Sequence, residues 1–170
     1  PYMSDNMKKD WEKQRTLLAE SKLNAIETFF EGVQEQLRFT ANFLENKEET
    51  FIIDNYERMR GSNVKFLNAY VLNTEGKEIY SNGYETVLED RKNEPLIQKM
   101  IQLSKQGKID VLHDKPTHLD LFETSIFQVD FVTPVTNVIR QPIAYIGAKI
   151  DLDYIWKSIQ TEEKENERIY

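Results

Sequence analysis

The chain has no cysteine. Thiolate nucleophiles, thiolate metal sites and disulfides are excluded together, while the compartment stays open, because an oxidising one does not require disulfides. No apolar run approaches the ~20 residues a membrane helix needs. There is no Gly-rich phosphate loop, no Gly-x-Ser-x-Gly elbow and no His-Glu-x-x-His, so no enzymatic activity and no cofactor are expected. Positive charge is in deficit: 22 Lys and Arg against 29 Asp and Glu give a net charge of −7. A nucleic acid would meet a repelling field, and none is expected as a partner.

Histidine is nearly absent as well. The only two, His113 and His118, lie together in VLHDKPTHLD (111–120) beside Asp114 and Asp120. Pro116 prevents a helix from carrying both, and their five-residue spacing misses the i, i+4 pairing of helical metal ligands. No metal is expected, and the stretch reads as a polar loop in which His113 reaches a pocket rim. His118 is expected to be exposed.

What is present reads as one α+β domain. With 39% apolar and 30% charged residues, 170 residues suffice for a globular core. The first residue is Pro1 rather than an initiator methionine, so a fragment of a longer protein is expected. Residues 8–47 lack proline, and Leu23, Ile26, Phe30, Val33, Leu37 and Leu44 recur at three- and four-residue steps, with Thr40 in the one gap. That spacing predicts a helix of near-heptad pattern, long enough to cover a core and contact a second subunit. A shorter helix is predicted over 48–60, stopped by Gly61. FLNAYVLNTEGKEIYSN (66–82) reads as strand, turn, strand. Asn93 is the predicted cap of a helix through 105, with Pro95 in its first turn and Leu96, Met100 and Leu103 buried. Strands follow at 108–112, 125–135 and 142–152, and a helix from Asp153. The expected boundaries are a long helix over 1–47, a core over 48–152 and a C-terminal helix over 153–170.

Strand alternation separates two faces. Leu67, Ala69 and Val71, with Ala144, Ile146, Ala148 and Ile150, make a small aliphatic face suited to a covering helix. The other carries Asn68, Tyr70, Tyr145 and Lys149, and by the same alternation Gln128 and Asp130. Aromatic walls with a few convergent polar groups suit a small-molecule pocket; such a face also suits solvent. A carboxylate within an apolar strand needs a cation. For Asp130 that is either Lys149 on a neighbouring strand or an ammonium group on a ligand. Arg91 is able to clamp a carboxylate bidentately, or else is a solvated charge within Glu89-Asp90-Arg91-Lys92.

AYVLNTEGKEIYSN, then EDRKNEPLIQKMIQLSKQGKIDV, then VDFVTPVTN and PIAYIGAKIDLDYIW resemble, in that order, the Cache family of extracytoplasmic PAS-like sensor domains. The resemblance implies a single Cache module: a five-stranded antiparallel PAS-like sheet with the long N-terminal helix packed on one face and a ligand pocket on the other. It implies the extracellular or periplasmic sensor of a membrane-anchored sensor kinase, chemoreceptor or cyclase. It further implies a small-molecule ligand (amino acid, carboxylate or amine) and relay through the terminal helices; a homodimer through the first of these is expected from that helix's own apolar edges. Arg91 falls where the family's pre-helix arginine faces the pocket, and Asp130 on the strand that supplies a polar contact. The Lys92-Asn93-Glu94 that follows the arginine departs from the pattern, and the arginine–tryptophan signature of the amino-acid-binding subgroup is missing. The candidate ligand-binding residues are thus Tyr70, Arg91, His113, Gln128, Asp130, Tyr145 and Lys149. The competing readings are a ligand-independent dimerisation or protein-interaction module and a cytoplasmic PAS-type domain holding a cofactor.

Overall fold

The structure, a computed structural model, describes residues 4–59, 66–83, 87–121 and 124–157. The side chain of His118, the predicted stop at Gly61 and residues 158–170 of the predicted last helix lie outside the described residues. The chain divides into two compact units, one comprising the chain up to Val33 together with the residues from Ile155, the other Gln34–Tyr154.

Helix α1 spans Asp5–Phe43 and helix α2 Glu49–Met59. The heptad-like stripe is not buried evenly. Leu23 is 57% exposed, Ile26 and Phe30 are half-buried, and Val33, Leu37 and Leu44 are buried. Within the larger unit, the last turns of α1 and one side of α2 contribute Leu37, Thr40, Ala41, Leu44, Ile52 and Tyr56 to the buried core. Asn46, between the two helices, donates its backbone N–H to the Thr136 carbonyl.

The larger unit is organised on one antiparallel sheet. Its strands are β1 (Phe66–Leu72), β2 (Glu78–Ser81), β3 (Leu112–His113), β4 (Thr117–Leu121), β5 (Thr124–Thr136) and β6 (Pro142–Asp151). They fill five positions across the sheet, in the order β2-β1-β6-β5-β3, because β4 pairs with β5 alongside β3. The VLHDKPTHLD stretch is therefore not a free loop. Its two strands pair successively with β5 on either side of Asp114–Pro116, and 117–121 forms a hairpin with the start of β5.

Register fixes the faces. Tyr70 lies opposite Gly147, and Gly147 opposite Val132; Asn68 lies opposite Lys149, and Lys149 opposite Asp130. These residues share a face, and Ala69, Val71, Val129, Phe131, Ile146, Ala148 and Ile150 point the other way, all fully buried. Each large aliphatic or aromatic side chain so buried contributes about 1.5–3 kcal/mol.

Helix α3 (Pro95–Lys105) lies over the first of these faces. Its Ile97 and Met100 pack on Tyr70, Leu72, Val132 and Tyr145. The buried arc is Ile97, Met100 and Ser104 rather than Leu96, Met100 and Leu103, because the Ser104 hydroxyl turns inward to meet Tyr145 Oη at 2.7 Å. The N-cap is Glu94, not Asn93, and its carboxylate makes no capping bond.

Candidate ligand-binding site

Two local features deliver Arg91 to the sheet. In the β1–β2 turn, Asn73 Oδ1 accepts from the backbone N–H groups of Glu75 and Lys77, and Gly76 adopts φ +90°. A Cβ on Gly76 would stand 3.0 Å from Lys92 Cα, so glycine both permits the turn and lets the 90–92 segment lie against it. Arg91 N then donates to the Gly76 carbonyl at 2.9 Å. The side chain runs inward and is 2% exposed.

There Arg91 meets Asp130, itself 5% exposed. Arg91 Nη2 donates to Asp130 Oδ2, and Tyr70 Oη donates to Asp130 Oδ1 at 2.6 Å. The guanidinium carbon stacks 4.1 Å from the centre of the Tyr70 ring, a cation–π contact in a dry setting. On the outer side, Nε and Nη2 of Arg91 grip the Glu94 carboxylate, with Nη2 2.7 Å from Oε2. The backbone of Asp130 is fixed separately: its N–H donates to Asp114 Oδ1 at 2.8 Å, and Asp114 N–H donates to its carbonyl.

Gly147 makes this arrangement possible. A Cβ there would fall 2.2 Å from Tyr70 Cζ and 2.6 Å from the Phe131 carbonyl oxygen. The Tyr70 ring lies directly on that glycine, and so crosses β6 to reach Asp130 on β5. An isolated glycine in a strand marks such close approach.

Burial pushes the Asp130 carboxyl above its ordinary range, opposed by the Arg91 charge and the Tyr70 hydrogen bond. Burial and the Asp130 charge also raise Tyr70, which keeps its proton as the donor. Burial disfavours the charged guanidinium of Arg91, but its negative surroundings outweigh this, and its pKa is raised above the ordinary value. Two more carboxyls are raised by burial: Asp114, and Glu78, which is 8% exposed and whose Oε2 has no hydrogen-bond partner among the described residues. The Arg91 and Lys149 charges both act against the shift at Glu78.

Of the seven residues picked from sequence, three, Tyr70, Arg91 and Asp130, are in mutual contact. Lys149 lies beside Asp130 across the β5–β6 register and is half-buried, but makes no ion pair within 4 Å among the described residues. The cation required by Asp130 is Arg91, neither of the two foreseen. Gln128 shares the face and is half-buried. Tyr145 does not line open space: it is buried in the core under α3 with its hydroxyl paired to Ser104. His113 is on the wrong face. It pairs with Phe131, not with a residue of the polar face, and its ring lies 5.2 Å from the Phe131 ring. Sequence reading missed Glu94, Glu78 and Gly147. The i, i+3 spacing of Arg91 and Glu94 and the lone glycine inside a strand were the available signals. Among the described residues no group of three or more His, Asp and Glu is placed to hold a metal ion.

The sequence matches no family model and no curated protein. The fold does have counterparts among solved structures. The ligand-binding domain of the Campylobacter jejuni chemoreceptor Tlp3, in complex with L-norvaline, superposes with a TM-score of 0.66 at 17% identity over 91% of this chain and 65% of that one. The ligand-binding domain of the Pseudomonas aeruginosa PAO1 amino acid chemoreceptor PctC, in complex with GABA, gives 0.61 at 15% identity over 84% and 62%. The extracellular domain of the putative histidine kinase vpHK1S-Z8 gives 0.60 at 13% identity over 90% and 63%. The fold is thus the one shared by these sensory domains of chemoreceptors and a histidine kinase, a mixed α+β fold with a long N-terminal helix and an antiparallel sheet. The chain spans less than two thirds of the length of these neighbours.

Proposed function

We propose that this chain is the extracytoplasmic sensor of a membrane-anchored receptor, and that it binds a small metabolite carrying an amine or carboxylate on the polar face of its sheet. The observation that carries this reading is the buried Tyr70–Asp130–Arg91 network. Placing two opposite charges inside a domain costs several kcal/mol per ion in desolvation, and apolar residues of equal volume serve stability as well or better. The network is thus better explained by recognition than by folding. The neighbours holding L-norvaline and GABA support the ligand class. Lys149, Glu78, Gln128 and Asn68 supply further polar groups around the same face.

In this reading a ligand favours one packing of the 87–94 segment and α3 against the sheet, and the difference passes to the terminal helices. Met7, Trp11, Leu18 and Leu23 of α1, all about half exposed or more, provide the apolar surface for a homodimer. The parent protein then carries the signal through a membrane segment to a kinase, chemoreceptor or cyclase output.

A thermal-shift screen against amino acids, organic acids and amines tests the proposal, because a ligand at 100 times its Kd adds about 2.7 kcal/mol. A stabilising compound whose effect is lost in Asp130→Asn supports it. A complete set of these compounds with no effect overturns it in favour of a ligand-independent dimerisation or interaction module. That second reading has one observation of its own: both carboxylate oxygens of Asp130 already have donors within the chain.

A further inference from the structure

Ligand-anchoring carboxylates face a problem that this site solves internally. Asp130 is almost wholly buried, and an uncompensated charge at such depth is strongly destabilising. Its compensation comes from a side chain that is not part of the sheet. Arg91 belongs to the segment between β2 and α3, and only its guanidinium crosses to β5. The strand neighbour Lys149 stands in register beside Asp130, yet makes no ion pair with it. The guanidinium is bound on three sides, by Asp130, by the Tyr70 ring and by Glu94. This is how a protein holds a guanidinium ligand, with a carboxylate, an aromatic platform and a second carboxylate.

Glu94 carries the arrangement into α3. It occupies the N-cap position, where Ser, Thr, Asp or Asn normally satisfies a free helix N–H, but its carboxylate is committed to Arg91 instead. Arg91 therefore couples the start of α3 to the middle of β5.

We infer that the Arg91 guanidinium is an internal occupant of a cation subsite formed by Asp130, Tyr70 and Glu94, so that a guanidinium- or primary-ammonium-bearing ligand binds by exchanging with it and frees the start of α3 from β5. This deepens the proposed function, on which its physiological meaning rests. It makes the ligand-free state a latched one. A ligand's net affinity is its contact with Asp130 less that of Arg91, and the exchange supplies the difference between two states that a signal requires.

Chemical rescue tests the subsite without the natural ligand. Arg91→Ala empties it and leaves Asp130 uncompensated. Millimolar methylguanidinium, at matched ionic strength, is expected to raise the unfolding midpoint of Arg91→Ala by about 3 °C or more. Wild type and the double variant Arg91→Ala with Asp130→Asn are expected to shift by less than about 1 °C in the same titration. Tetramethylammonium, a cation without N–H donors, is expected to have no effect on any of them. If Arg91→Ala does not fold alone, recovery of its native circular dichroism by methylguanidinium and not by tetramethylammonium supports the inference equally. Equal responses of Arg91→Ala and the double variant, or no response to methylguanidinium, would overturn the inference. Such a failure stays separate from the metabolite screen, which uses wild type and reads binding whatever Arg91 does.

Discussion

On one side of the central strands, Val71, Phe131, Ile146 and Ala148 are apolar side chains that are fully buried. On the other, the same strands carry Tyr70, Asp130, Gly147 and Lys149, and the first three depend on a particular partner or on the absence of a side chain. The two faces differ in tolerance. An aliphatic face accepts any residues of about the right volume. The polar face works only if a charge from the 87–94 segment, a hydroxyl from β1 and a missing Cβ on β6 arrive together. Sites that are costly to assemble and unnecessary for stability are where function is best sought.

The contrast is broken most severely by Arg91→Ala. Stripped of its cation, Asp130 remains buried, and a loss of about 3–5 kcal/mol is expected in urea unfolding. A loss below about 1 kcal/mol would mean that Lys149 or water takes over the charge.

Adjacent residues of β6 sharpen the comparison next. Gly147→Ala adds one carbon on the polar face, 2.2 Å from the Tyr70 ring, and is expected to cost about 3 kcal/mol. Ile146→Val removes one carbon on the other face and is expected to cost about 1 kcal/mol. Equal losses would show that Tyr70 moves aside freely and that its position is not fixed by the glycine.

The third test is a slope against pH. Burial raises the Glu78 carboxyl in the folded protein. The folded state therefore holds this proton more tightly than the unfolded one, and the contribution to stability is complete below about pH 4.3, the ordinary value for glutamate. It is lost as pH rises through the folded value. Glu78→Gln is expected to flatten this decline and to make the protein more stable than wild type at pH 7. Asp130 and Asp114 are raised by burial too, so part of the decline remains. An unchanged slope in Glu78→Gln would remove Glu78 from the buried charges of this face.

The smallest effect belongs to a pair outside both faces. Arg38 and Asp110 are 3.0 Å apart but both are about half exposed or more, and Arg38→Ala is expected to cost less than about 1 kcal/mol in the same unfolding measurement. A loss as large as that of Arg91→Ala would show that distance alone, not burial, sets the worth of an ion pair here.

Much of this was legible in the sequence, and the limits have physical causes. Period-two alternation assigned Ala69 and Val71 to one face and Asn68 and Tyr70 to the other, because strand geometry leaves no third choice. It also grouped Asp130 with Tyr70, 60 residues away along the chain. What alternation cannot say is what covers a face. Tyr145 has the right parity for a pocket, yet α3 lies over it and Ser104 takes its hydroxyl. His113 is expected just past a strand over 108–112, but the strand is Leu112–His113, and pairing with Phe131 puts His113 on the aliphatic face. Arg91 and Asp130 meet because a turn at Gly76 holds the 90–92 segment beside the sheet, a tertiary event with no local signature.

We propose the polar face of the sheet as the surface where a small ligand binds. The most direct test is a ¹H–¹⁵N NMR titration of the chain with the strongest stabiliser from the metabolite screen. The largest shifts are predicted at the backbone amides of Tyr70, Arg91, Glu94, Asp130 and Lys149, with Val71, Ile146 and Phe131 moving less. Shifts confined to α1 and α2, with Tyr70, Arg91 and Asp130 unmoved, would contradict it.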